Sequence, residues 1–92
     1  MIKSFKHKGL QKFFESGSVK GIKAEHSKKL IMRLSALDTA LVLDDLELPS
    51  FNLHQLKGNK HGVWSIKVNG NWRITFTFVD GDVYIVNYED YH

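Results

Sequence analysis

Pro49 separates two kinds of apolar spacing in this chain. Before it, apolar residues recur at helical intervals. Leu10, Phe13 and Phe14 do so within 7–16, and Leu30, Ile31, Leu34 and Leu37 within 24–37. After it they alternate, in runs at 51–56, 63–68, 71–79 and 83–88. Helices and strands bury one face at periods of 3.6 and 2, so the switch marks a helical half followed by a sheet half. The dipeptide Asn69-Gly70 favours a tight hairpin because both residues accept positive φ, and Asp80-Gly81-Asp82 closes the next run. The pattern predicts an α+β fold, with N-terminal helices packed on one face of a mostly antiparallel four-strand meander.

Finer features follow from the same reading. Gly17 is a natural helix stop, residues 18–23 form a loop, and His26, Lys28, Lys29 and Arg33 fall off the apolar face of the second helix. Asp38-Thr39 is expected to cap a further helical turn through 43. Residues 2–5 are expected to form a short first strand. In the last run Val83, Ile85, Asn87 and Glu89 should share one face, and Tyr84, Val86, Tyr88 and Asp90 the other. In the third, Trp72, Ile74, Phe76 and Phe78 should pack on the helices, leaving Asn71, Arg73, Thr75 and Thr77 opposite.

Length limits residues 1–92 to a single domain with one core. There is no cysteine, which excludes disulfides and thiolate zinc sites. The histidines lack ligand spacing, so neither a metal nor another cofactor is expected. No apolar run approaches the roughly 20 residues of a membrane span and no export signal is visible, so the expectation is a soluble cytoplasmic protein. The formal net charge is +3. Lysines crowd the first third (Lys3, Lys6, Lys8, Lys12, Lys20, Lys23, Lys28, Lys29), a distribution suited to a polyanion partner as well as to solubility.

The residues able to do chemistry collect near strand ends. His92 closes the chain after Asp90 and Tyr91, and Arg73 lies within a neighbouring strand. A histidine titrates near neutrality and a guanidinium grips phosphate oxygens through two donors, so this group suits phosphate chemistry without a metal. His54 and Lys57 flank the turn after the first meander strand. Each also has a plainer reading: an exposed strand histidine, a solvated turn cation and, for Arg73, a salt bridge to Glu89 or Asp90.

His54-x-Leu56-Lys57-Gly58, Gly62-x-Trp64-Ser65-Ile66, Asn71-Trp72-Arg73-Ile74 and the closing Asp90-Tyr91-His92 together resemble the HigB branch of the RelE-type toxins, also called the plasmid maintenance system killer family. The resemblance implies a RelE-like microbial-ribonuclease fold. It also implies the toxin of a type II toxin–antitoxin pair, a ribosome-dependent endoribonuclease that cuts messenger RNA in the decoding site. Its partners would be the ribosome with bound mRNA and a HigA-like helix-turn-helix antitoxin. Carried onto this chain, the site residues are His54, Lys57, Asn71, Arg73, Tyr91 and His92. The competing reading is a non-catalytic basic module that binds RNA or protein.

Overall fold

The computed structural model describes residues 1–60 and 62–91; His61 and His92 lie outside the described residues. Two helices precede the sheet: α1 at Lys8–Ser16 and α2 at Ser27–Thr39, the latter entered through a 3-10 turn at Ala24–His26. Helix α1 opens unusually on His7, whose Nδ1 accepts the Leu10 N–H at 2.9 Å. It closes on Gly17 at φ 81, whose N–H donates to the Phe13 carbonyl. The four strands are β1 (His54–Gln55), β2 (Trp64–Asn69), β3 (Trp72–Val79) and β4 (Asp82–Asp90), paired antiparallel in the order β1-β2-β3-β4. Among the described residues no helix is long and apolar enough to cross a membrane.

The core lies between the helices and one sheet face. Leu10, Phe13, Leu30, Leu34 and Leu37 meet Ile66, Val68, Ile74, Phe76, Val83, Val86 and Tyr88, with Trp72 and Phe78 half-buried at its edges. On the opposite side of the sheet run two rows of cross-strand paired residues. One runs His54, Ser65, Thr75, Asn87; the other runs Lys67, Arg73, Glu89. The expected segregation of β3 into a core face and a polar face is therefore present.

Several local expectations are corrected. Residues 2–5 form no strand; Ile2 and Phe5 make isolated parallel bridges to Val83 and Val86. The ladder is broken there by a bulge in β4, where two residues, Ile85 and Val86, stand opposite one position of β3. Ile85 takes φ 57, a rare conformation for a β-branched residue, and its N–H donates to Ser4 Oγ at 2.8 Å. The bulge also inverts the phase of the strand. Val83 shares the core with Val86 and Tyr88, while Asn87 and Glu89 join the polar rows.

In α2, Ile31 is 57% exposed and Arg33 2% exposed, and His26 in the 3-10 turn ahead of it is buried, the reverse of their expected places. Asp38 and Thr39 belong to α2 itself, followed by a separate 3-10 turn at Leu43–Leu46. Asp38 Oδ1 instead accepts the Ile2 N–H. The 3-10 turn is held by the Asp45 carboxylate, which accepts the N–H groups of Leu41 and Val42; those bonds lower its pKa. Strand β1 is only two residues long, and the β2–β3 turn is centred on Gly70 and Asn71, one place later than expected, with an irregular register between Lys67 and Asn69.

Candidate active site

The polar face of the sheet gathers four of the six residues picked from the sequence. His54, Lys57, Arg73 and Tyr91, with Gln55 and Leu56, line an open cleft of about 480 Å³. A smaller hollow of about 160 Å³ adjoins it, lined by Asn52, His54, Ser65, Lys67, Gly70, Trp72 and Arg73. His54 and Arg73 belong to both. They come together because β2 intervenes between β1 and β3, which places their side chains on the same face in adjacent rows.

Each side chain is held differently. His54 Nδ1 lies 3.0 Å from the Asn52 carbonyl and its Nε2 lies 3.3 Å from Ser65 Oγ. Ser65 is 1% exposed, a hydroxyl at the floor of the sheet face. The Arg73 guanidinium stacks over the Tyr91 ring, 3.8 Å from Cζ to the ring centroid. That stack orients the fork, whose cross-strand neighbours are Lys67 on β2 and Glu89 on β4. Tyr91 lies just past β4 and is anchored by its N–H, which donates to the Asn71 carbonyl at 2.8 Å. Asn71 itself is exposed at the hairpin turn next to β3. His92 lies outside the described residues.

Electrostatics give this face a use. Lys67 pairs directly with Arg73 across β2 and β3. Like charges opposite one another on a sheet repel, and a bound phosphate would relieve that repulsion. Lys57, exposed in the loop after β1, adds a third cation beside the cleft. On the far side of the sheet the titratable groups are structural. His26 Nδ1 and the Tyr88 hydroxyl are hydrogen-bonded at 2.6 Å, and the two rings pack with Trp72. Burial lowers the His26 pKa and raises that of the Tyr88 phenol, so a neutral imidazole faces a protonated phenol.

Three contributors escape sequence reasoning: Ser65, Lys67 and Asn52. Ser65 and Lys67 alternate on β2, and a hairpin register drawn from Asn69-Gly70 would have pointed at them as neighbours of Thr75 and Arg73. Asn52 carried only the weak signal that Asn tolerates positive φ; here it takes φ 47.

Comparisons with known proteins identify the family and the fold. A family model described as the RelE-like toxin of the type II toxin–antitoxin system HigB matches residues 3–92. Endoribonuclease HigB of Proteus vulgaris is 53% identical over 92 residues, covering 100% of both chains. Toxin HigB-1 of Vibrio cholerae is 36% identical over 94 residues, covering 100% of this chain and 98% of its own. Among solved structures, a chain of the YoeB–YefM complex from Staphylococcus aureus superposes with a TM-score of 0.65 at 20% identity, covering 100% of this chain and 95% of that one. A YoeB dimer from the same organism gives 0.62 at 18% identity, covering 99% and 94%. With a helical layer on one face of an antiparallel meander and a cationic cleft on the other, the chain belongs to the HigB-like family of RelE-like toxins from type II toxin–antitoxin systems.

Proposed function

We propose that this toxin is a ribosome-dependent endoribonuclease that cuts messenger RNA in the decoding site, by attack of the substrate's own 2′-hydroxyl and without a metal. The endoribonuclease class rests on the full-length relationship to the Proteus vulgaris enzyme. The observation that carries the mechanism is the convergence of His54 and Arg73 on one cleft. In such a cut the 2′-oxygen loses its proton and bonds to phosphorus, the bond from phosphorus to the 5′-oxygen breaks, and that oxygen gains a proton. The products are a 2′,3′-cyclic phosphate and a 5′-hydroxyl.

The side chains supply each need. His54 and His92 are the proton-transfer pair, imidazole being the side chain most often used for that task. Arg73 and Lys57 stabilise charge on the phosphoryl oxygens, the kind of assistance that often dominates catalysis. Tyr91 holds Arg73 by stacking and offers its other face to a base, while Asn71 hydrogen-bonds phosphate or base. The toxin works in the cytoplasm, where its substrate is mRNA threaded through the ribosome, and its antitoxin is a HigA-like helix-turn-helix protein.

The test uses ribosomes programmed with an mRNA carrying a single 2′-O-methyl group at the mapped cut site. Cutting there should stop, while the unmodified message yields a 5′ fragment ending in a cyclic phosphate. Cleavage that persists past the methyl group would overturn the 2′-hydroxyl route. Tight binding to ribosomes with no cleavage of either message would favour the non-catalytic module.

A further inference from the structure

Arg33 is a buried cation that the proposed chemistry does not use. Its guanidinium, 2% exposed, donates to three backbone carbonyls: Lys67 at 2.6 Å from Nε, Lys29 at 3.3 Å from Nη1 and Ser50 at 3.4 Å from Nη2. It also lies over the Phe51 ring, 4.8 Å from Cζ to the centroid. Phe51 is held a second time, because its carbonyl accepts the Lys67 N–H at 2.6 Å. Helix α2, the segment before β1 and strand β2 are thus joined at one point. Immediately after that point the chain turns through Asn52 at φ 47 and delivers the Asn52 carbonyl to His54 Nδ1.

A carbonyl oxygen only accepts hydrogen bonds, so the 3.0 Å contact requires the proton on Nδ1. The neutral ring then carries its lone pair on Nε2, where Ser65 Oγ donates from 3.3 Å, a long bond that an incoming hydroxyl can replace. From this we infer that His54 is the general base of the proposed cut, acting through Nε2, and that Arg33 and Asn52 are positioning residues that fix its tautomer. The inference rests on the nuclease reading above and assigns the roles within it. Nε2 takes the 2′-hydroxyl proton as the 2′-oxygen bonds to phosphorus. The imidazolium so formed is stabilised at Nδ1–H by the Asn52 carbonyl, a neutral counterpart of the carboxylate that orients histidine in hydrolase triads. The charges around the ring are those of Lys57, Lys67, Arg73 and, beside Arg73 in the register, Glu89, with the Tyr91 phenol at the cleft edge.

The backbone conformation at Asn52 makes the inference testable. Glycine accepts a positive φ and a β-branched residue resists it, so Asn52→Gly and Asn52→Val separate the backbone from the side chain. Nitrogen-15 NMR of the full-length toxin, with the His54 ring assigned through His54→Gln, reads the tautomer directly. The wild type and Asn52→Gly should show the proton on Nδ1. Asn52→Val and Arg33→Met should show a tautomer mixture, a single-turnover rate on programmed ribosomes lower by about tenfold or more, a shifted pH–rate profile and little change in the half-saturating ribosome concentration. If Arg33→Met fails to fold, the two Asn52 variants decide alone. A proton on Nε2 in the wild type overturns the inference, as does a folded Asn52→Val that keeps both the tautomer and the pH–rate profile. A wild type that leaves ribosome-bound mRNA intact sinks the nuclease reading instead, whatever the tautomer.

Discussion

Arg73 is held by the Tyr91 ring and opposed by Lys67, so both its charge and its flat shape matter. Arg73→Ala should slow single-turnover cleavage of ribosome-bound mRNA by about 10²–10³-fold while keeping the pH profile, because the loss is in charge stabilisation. Arg73→Lys should recover only part of the rate, since lysine restores the charge without the fork or the stack. Full recovery would show that a point charge suffices. His26 and His7 set a different pH dependence, that of stability. Burial lowers both pKa values in the folded protein. Their contribution is therefore complete above the ordinary histidine value of about 6.5 and is lost as pH falls through the folded-state values, because the unfolded chain takes up protons first. Protonation would also remove the lone pair with which His7 caps α1. Urea denaturation should show stability level from pH 8 to 7 and declining toward pH 5. A flat profile over that range would mean that neither ring is desolvated in solution.

At the level of elements, α1 and the loop ahead of α2 meet at a close contact that propensity alone would misjudge. Gly9 lies inside α1, where alanine ordinarily stabilises by about 1 kcal/mol. Here a Cβ on Gly9 would stand 2.6 Å from the Gly21 carbonyl oxygen. Gly9→Ala should therefore destabilise the toxin, and an increase in its urea midpoint would refute the packing between α1 and the loop ahead of α2. Phe76, buried at the centre of β3, should cost roughly 3–5 kcal/mol as Phe76→Ala. These elements were largely legible in the residues. The change of period at Pro49, Gly17 as helix stop and the alternation of β3 each reported a local rule that the fold obeys. What stayed hidden depends on distant partners. The phase of β4 turns on a bulge whose N–H is bonded by Ser4, some eighty residues away in sequence. Arg33 reads as a solvent-face cation until the carbonyls of Lys67 and Ser50 are placed around it. The candidate site divides the same way. His54, Lys57, Arg73 and Tyr91 were visible as motif residues and meet in one cleft, whereas Lys67 and Asn52, and any role for the motif residue Ser65, enter only through register and backbone conformation.

Across the whole molecule, a second group of cations lies apart from the candidate cleft. Lys8, Lys12 and Lys20 line a groove of about 630 Å³ between α1 and the loop that follows it, away from the sheet face that carries His54 and Arg73. Ribosome association should weaken as salt rises, through release of counterions from phosphate. Reversing these three lysines to glutamate should lower association and flatten the salt dependence, with cleavage on already bound ribosomes nearly unchanged. Salt-insensitive association would assign those lysines to solubility alone. The division of labour meets its most direct test in the single-turnover cleavage of one mRNA, presented on programmed ribosomes and free in solution, by the wild type and by His54→Gln. The wild type should cut the ribosome-bound message and spare the free one, and His54→Gln should bind ribosomes equally well yet cut about 10²–10⁴-fold more slowly. Cleavage by His54→Gln at the wild-type rate, or equal cutting of free mRNA, would contradict the placing of ribosome-dependent RNA cleavage in this cleft.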